Sequence, residues 1–216
     1  MLATQHIRHA KQLCKDLERS LEDKDLAYFL QDDDGYQGYI DDMLWAQRWA
    51  LANRDEMLSQ VVRNAASLIG GDTQLKVLDT IKCHHNYAEL ETHEGVDIWV
   101  TRKGAIRAQV GDRGIIPGSM GTATYIVEGK GNSDSYNSAS HGAGRRMSRT
   151  EAKKNVSEAD LSEMMAGKTW LSGSAAQLVD EAPAAYKDIE AVMVDQSDLV
   201  EVTHRLEAVV NYKGTA

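Results

Sequence analysis

Apolar residues recur at helical steps towards both ends of this chain and crowd into short runs in its middle. Near the start, Ala10, Leu13, Cys14, Leu17 and Leu21 follow the spacing of one helix face. No start signal precedes them. A polar turn around Asp32, Asp33, Asp34, Gly35 and Gly38 interrupts the pattern; adjacent carboxylates can be read as a metal site, but a solvated loop is the simpler account. From Asp41 or Asp42 as N-cap, the periodicity predicts a long helix through Leu44, Leu51, Leu58, Val61, Ala65 and Leu68, stopping at Gly70 and Gly71. Trp45 and Trp49, one turn apart in it, are expected to pack in a core.

From Val77 the pattern changes. The runs VLDTIKC, VDIWV, AIRAQ, GII and TATYIV, separated by Gly, Asp and Pro, predict strands of a small sheet. The Gly/Ser/Asn-rich stretch from Gly129 to Gly144 is long enough to be a functional loop rather than a connector. Helical signals then return, with capping boxes at Ser148/Glu151 and Ser157/Asp160 and a last periodic run through Ala185, Ile189, Val192, Leu199, Val202 and Leu206. Helices, strands, then helices, without βαβ alternation, predict an α+β fold: a helical N-terminal segment, a central and mainly antiparallel sheet region, and C-terminal helices.

Composition sets limits on this picture. A chain of 216 residues, 42% of them hydrophobic, can bury one sizeable core and holds one or at most two domains. No stretch approaches the roughly 18 apolar residues of a membrane span, and the first part of the chain is charged rather than leader-like. Cys14 and Cys83 suggest no disulfide framework and fit a reducing compartment, so a cytoplasmic protein is expected. The net charge of −9 argues against a generic polyanion binder, yet it is unevenly spread. Residues 102–154 hold ten Lys/Arg against four Asp/Glu, a balance of +6 that leaves −15 for the rest.

The basic stretch surrounds SHGAGRRMSR, residues 140–149. Its chemistry outlines a phosphate-handling loop. His141 offers an imidazole nitrogen that can attack phosphorus, Gly142 and Gly144 let backbone approach closely, and Arg145, Arg146 and Arg149 can fork onto phosphate oxygens. The capping box at Ser148 would start a helix whose amides face the loop. The same residues also describe a solvated Gly/Arg turn. Two further groups are open in the same way: His84 and His85, of which one could serve a metal such as Mn or Zn or both could be structural, and Pro117 to Gly121, a phosphate cradle or a plain turn.

Taken together, HHNY (84–87), VTRKGAIRA (100–108), GIIPGSMGT (114–122), SHGAGRRMSR (140–149) and AYKDIEAVM (185–193), in this order and spacing, resemble the RtcB family of RNA ligases. The resemblance covers nearly the whole chain. It implies joining of an RNA 3′-phosphate or 2′,3′-cyclic phosphate to a 5′-hydroxyl with GTP and manganese, in tRNA splicing or RNA repair. Residue by residue, it implies that His141 takes GMP from GTP as a phosphoramidate while pyrophosphate leaves. His85 becomes a manganese ligand with Asn86 beside it in the nucleotide pocket. Pro117, Gly118, Ser119 and Met120, together with the backbone of His141, Gly142, Ala143 and Gly144, would line the guanylate. Lys213 would contact guanine, Tyr186 would lie near the base, and Arg145 and Arg149 would hold RNA phosphates. Thr124 stands where relatives commonly carry serine.

One departure is large. The family's N-terminal half, with its metal-binding aspartate and cysteine, two more histidine ligands and an asparagine-histidine segment, has no counterpart here. The expectation is therefore a single partial ligase domain over residues 1–216, the C-terminal half of such a ligase as a truncated product, a split-gene product completed by a separate chain, or a fragment, active when the missing half is present. The alternative is an inactive remnant that binds nucleotide or RNA.

Overall fold

The computed structural model describes residues 2–69 and 76–214. The chain forms two compact units, one up to Lys76 and one from Val77 onward. The class is α+β, as expected.

The first unit contains α1 (Leu2–Asp16) and α2 (Tyr36–Ile69). Ala10 and Cys14 of α1 and Ile40 of α2 are buried, and edge contacts of His6 with Tyr39 and His9 with Phe29 fill the space around them. Leu17 and Leu21 fall beyond α1, so the apolar spacing outruns the helix. The acidic turn is an ion-paired loop: the Arg19 guanidinium forks onto Asp33 at 2.6 Å on both arms, and Asp33 also accepts the Leu30 amide at 2.6 Å. These bonds hold the Asp33 carboxyl down to about 2.

Helix α2 starts at Tyr36, more than a turn before the expected N-caps. Both of those aspartates lie inside the helix with side-chain partners, Asp41 accepting from Gln37 at 2.9 Å and Asp42 bonding the His6 ring at 2.8 Å. The expected stop at Gly70 and Gly71 lies outside the described residues. The core role of Trp45 and Trp49 does not hold: they are 53% and 60% exposed. At about 1.5 Å of rise per residue, the 15 residues of α1 cannot flank all 34 of α2. Periodicity marked an apolar face without saying what covers it.

In the second unit, β1 (Asn86–His93) and β2 (Val96–Lys103) form a hairpin with register from Asn86↔Lys103 to His93↔Val96. Its two-residue turn, Glu94 and Gly95, has both φ values positive at 52° and 81°, the geometry that matches strand twist. Strand β3 (Ala105–Arg107) pairs with β6 (Ser138–Ser140), and β5 (Thr124–Gly129) lies between β4 (Arg113–Pro117) and β7 (Val200–Leu206). All these pairings are antiparallel. The helices are α3 (Arg149–Asn155), α4 (Glu158–Met164), α5 (Ala175–Leu178) and α6 (Ile189–Asp195). Both capping boxes close as expected.

Three expectations need correction. VLDTIKC forms no strand. Val77 and Leu78 are 57% and 83% exposed, and side-chain bonds fix the run instead, Asp79 pairing with Arg113 and Cys83 leaning on the Arg113 carbonyl. The Gly129 to Gly144 stretch is not all loop, since β6 crosses it. The last periodic run is helical only through α6. Its continuation, VEVTHRL, alternates β-branched with polar residues and pairs along β5.

Two apolar clusters organise this unit. One gathers Ile106, Ile116, Tyr125, Val127, Ala139, Ile189 and Met193 beneath the strands, and the other gathers Met120, Leu161, Met165, Leu178 and Ala182 among the helices. Truncating a side chain such as fully buried Ile116 would destabilise the unit by roughly 2–5 kcal/mol. The Pro117 to Met120 loop leaves the first cluster at Ile116 and enters the second at Met120.

Beside the first cluster lies a buried ion pair. The Arg102 guanidinium, 2% exposed as a residue, forks onto Glu91 and also donates to the Ser138 hydroxyl and the Tyr136 carbonyl, each at 2.9 Å. Glu91 is further bonded to the His93 ring at 2.9 Å. With both charges matched and bonded, the pair is tolerable in the interior, and it ties the β1–β2 hairpin to the segment leading into β6. Among the described residues both cysteines are free thiols, and no helix is long and apolar enough to cross a membrane.

Candidate functional site

Strand β6 delivers Ser140 to the edge of β3, and the chain then turns through His141, Gly142 and Ala143. The turn is held by the peptide at Gly104, between β2 and β3. The Gly104 carbonyl lies 2.8 Å from Nδ1 of His141 and also accepts the His141 amide at 3.3 Å. A carbonyl can only accept, so Nδ1 carries a proton, and in the neutral ring the lone pair is on Nε2. The Gly104 amide donates to the His85 carbonyl at 2.7 Å and to Oδ1 of Asn86 at 3.1 Å. The backbone of one residue, through its amide and its carbonyl, therefore joins three of the residues singled out by sequence. The half-buried rings of His85 and His141 are stacked, centroids 5.1 Å apart and planes 13° apart.

The His141 turn docks on the Pro117 loop. The Ala143 amide donates to the Pro117 carbonyl at 3.1 Å, and a Cβ on Gly142 would sit 3.0 Å from that same oxygen. This closeness accounts for glycine at 142. Within the loop, the Thr122 hydroxyl accepts the Ser119 amide at 2.6 Å and lies 3.0 Å from the Ser119 hydroxyl. The side chain of Met120 does not face a ligand space, because Met120 is 3% exposed and belongs to the helical core cluster. Ala143 is likewise a core residue. Thr124 opens β5 opposite Pro117.

On the other side, the segment before α6 is zipped to the same loop, with the Lys187 amide on the Gly144 carbonyl at 2.9 Å and the Arg146 amide on the Ala185 carbonyl at 3.0 Å. Arg145 lies over the Tyr186 ring, 4.9 Å from its centroid. Its donors are taken up internally: Nε by the Met147 carbonyl at 3.1 Å, Nη1 by the Tyr186 hydroxyl at 3.1 Å and Nη2 by the Asp180 carbonyl at 2.5 Å. Arg149, by contrast, has a side chain 72% exposed, with looser ion pairs of 3.3 Å to Glu181 and 3.8 Å to Asp180.

Glu181 is the hub that sequence reasoning missed. It accepts from the Tyr186 hydroxyl at 2.6 Å and from Nζ of Lys213 at 3.1 Å, and Arg145 and Arg149 flank it. Burial pushes its carboxyl up, but the Tyr186 hydroxyl and the surrounding cations outweigh burial and hold it below the ordinary value. Burial and the Glu181 charge raise the Tyr186 phenol in turn. The signal for Glu181 was its place five residues before Tyr186, in Asp180-Glu181-Ala182-Pro183. Lys213 reaches the hub because the chain end is pinned, the Asn211 amide donating to the Thr169 carbonyl at 2.8 Å and the Thr169 amide to the Val209 carbonyl at 2.9 Å.

The structure thus brings His85, Asn86, Pro117, Ser119, His141 and Gly142 together around Gly104 and the Pro117 carbonyl, and Arg145, Arg149, Tyr186 and Lys213 around Glu181. The 144–146 segment, bonded to 185–187, joins the two groups. Such a site sets an imidazole, clustered cations and an aromatic ring on connected segments, side-chain types that can handle a phosphoryl group. Among the described residues, no three His, Cys, Asp or Glu side chains form a group that could hold a metal.

The sequence model of a family described as tRNA-splicing ligase RtcB matches residues 1–214. The chain is 46% identical over 206 residues to the RNA-splicing ligase RtcB of Escherichia coli, covering 93% of this chain and 50% of that protein. It is 34% identical over 208 residues to the tRNA-splicing ligase RtcB of Nanoarchaeum equitans, covering 85% and 42%, and 30% identical over 235 residues to the RNA-splicing ligase RtcB of Mycobacterium tuberculosis, covering 99% and 53%. It spans about half the length of these curated relatives. The match to the family model runs through every motif that builds the site, and the chain belongs to the RtcB family of tRNA-splicing ligases.

Proposed function

We propose that this chain is the histidine-bearing half of a GTP- and manganese-dependent RNA ligase of the cytoplasm, acting in tRNA splicing or RNA repair. The observation that supports the reading is His141, whose Nδ1 proton is engaged by the Gly104 carbonyl, so that in the neutral ring Nε2 is the nitrogen left to attack. In the proposed step Nε2 attacks the α-phosphorus of GTP, a P–N bond forms, the bond to the bridging oxygen breaks, and pyrophosphate leaves. The GMP then passes to an RNA 3′-phosphate, formed directly or from a 2′,3′-cyclic phosphate, and a 5′-hydroxyl displaces it to seal the strand.

Around this step, the Pro117 to Ser119 loop and the backbone from His141 to Gly144 line the guanylate, Tyr186 and Lys213 lie towards the base, and Arg149 holds an RNA phosphate. Asn86 acts through Gly104, since its Oδ1 is bonded there. His85 offers one imidazole to manganese. A catalytic metal needs about three protein ligands, and the described residues do not group them, so the remaining donors are assigned to the family's other half.

The test is label transfer from α-labelled GTP in the chain complemented by a relative's N-terminal half. The His141→Ala variant is expected to take up no label. Undiminished labelling in that variant would refute the assignment.

A further inference from the structure

Among the described residues four polar or charged side chains belong to buried residues: Glu91, Arg102, Asp180 and Gln196. Such burial is unfavourable unless the group is bonded, so its partners explain it. Glu91 and Arg102 answer each other, and Asp180 faces Arg149 and Lys153. Gln196 has no charge to answer.

Its partner is the chain just before His141. Gln196 caps the C-terminal end of α6, and its carbonyl receives the Leu199 and Val200 amides at 3.0 and 3.2 Å. With the backbone held in this way, Oε1 accepts the Ser140 amide at 3.0 Å while Nε2 rests 3.3 Å from the Met193 sulfur. Ser140 in turn closes around His141. Its hydroxyl donates to the Gly142 carbonyl at 2.5 Å and accepts the Gly142 amide at 3.3 Å. The residue before His141 is therefore bonded to the residue after it, and Gln196 anchors the pair. The direct backbone bond from His141 to Gly104 is long, 3.3 Å, so the Gln196 bond is a second anchor for the backbone that carries the ring, whose Nδ1 meets the same carbonyl at 2.8 Å.

We infer that Gln196 is a positioning residue for His141, fixing Ser140 so that the imidazole meets the Gly104 carbonyl through Nδ1 and presents Nε2. Its catalytic consequence rests on the nucleophile reading given above, whereas its structural content can be tested without turnover. Leucine at 196 would fill a similar space and leave the Ser140 amide without an acceptor. Glutamate would keep an acceptor oxygen at the same reach.

The experiment uses the full chain labelled with 15N-histidine, and long-range proton–nitrogen spectra report the ring tautomer, the His141 signals being identified by their loss in His141→Asn. The wild type is expected to show a single Nδ1-protonated tautomer. Gln196→Leu should show a mixture, with Ser140 amide exchange accelerated about tenfold, and Gln196→Glu should restore the wild-type spectrum. A folded Gln196→Leu variant with the wild-type tautomer and Ser140 exchange would overturn the inference. Should that variant fail to fold, the wild type decides: a Ser140 amide exchanging as fast as an exposed one, or an Nε2-protonated His141, overturns it equally. Label transfer that survives His141→Ala would sink the ligase reading and leave these spectra unchanged, so the two failures are distinguishable.

Discussion

The imidazole of His85 lies nearly parallel to that of His141, 5.1 Å from it between centroids. The stack gives His85 a packing role next to the proposed nucleophile in addition to any role as a metal ligand, and the two can be separated. His85→Phe keeps an aromatic surface against His141 and removes the nitrogens, whereas His85→Ala removes both. In the complemented enzyme, both variants are expected to lose manganese-dependent label transfer by at least about tenfold, in line with the loss of a metal ligand. In the chain alone, only His85→Ala should disturb the ring signals of His141. Full label transfer by His85→Phe would assign His85 to packing alone.

Arg145 and Arg149 sit one helical turn apart in sequence, but their environments differ. Arg145 makes three internal hydrogen bonds and covers Tyr186, so Arg145→Ala should destabilise the fold by about 1–3 kcal/mol. Arg149 is mostly in solvent; Arg149→Ala should leave the melting temperature within about a degree and reduce the salt slope of RNA affinity by about one. Thermal unfolding and RNA binding at several salt concentrations check both. An unchanged melting temperature for Arg145→Ala would mean that its internal bonds are not formed in solution.

Glu181 makes part of the stability pH-dependent. Its carboxyl is held below the ordinary carboxylate value, so the unfolded chain binds the proton more readily. The contribution is fully present above about pH 4.3, the ordinary glutamate range, and is lost as pH falls through the lower folded value. Glu181→Gln should be less stable than wild type at pH 7, with the gap narrowing towards pH 3. Equal acid sensitivity of the two proteins in chemical unfolding would count against the hub.

As given, the chain should not ligate RNA. His85, the ligand proposed above, cannot by itself hold manganese tightly without the rest of a coordination shell. A ligation assay with a 3′-phosphate and a 5′-hydroxyl RNA, GTP and manganese should give no turnover from the chain alone and turnover once a relative's N-terminal half is added. Multiple turnover by the chain alone would mean that residues given no metal role above, such as His84, His93 or Asp32 to Asp34, complete a metal site.

The sequence was most informative where local chemistry dictates local shape. Ser148/Glu151 and Ser157/Asp160 were recognisable because a capping box is complete within four residues. The β-branched and aromatic residues of VDIWV marked β2 for the same reason. Strand β1 was missed because Glu89 and Glu91 disguise it, and their partners Arg107 and Arg102 are distant in sequence. Strand β7 was read as helix because β-branched residues can also fall at three- and four-residue steps, and only pairing with β5 decides the matter. In the site, His141 and the arginines were legible as reactive types. Gly104, Glu181 and Gln196 were not, since a carbonyl, a carboxylate and an amide acquire their roles only through what the fold sets against them.

The turn at Gly104 illustrates this at the level of what the chain can tolerate. Short connections between strands are ordinarily where sequences gain or lose residues with little effect. Here both backbone groups of one residue are engaged, the Gly104 amide by His85 and Asn86 and its carbonyl by His141. Inserting or deleting a single residue between Lys103 and Ala105 would pull apart three segments at once while leaving each strand's own composition untouched. The connection between β2 and β3 should therefore keep its length even where its side chains drift.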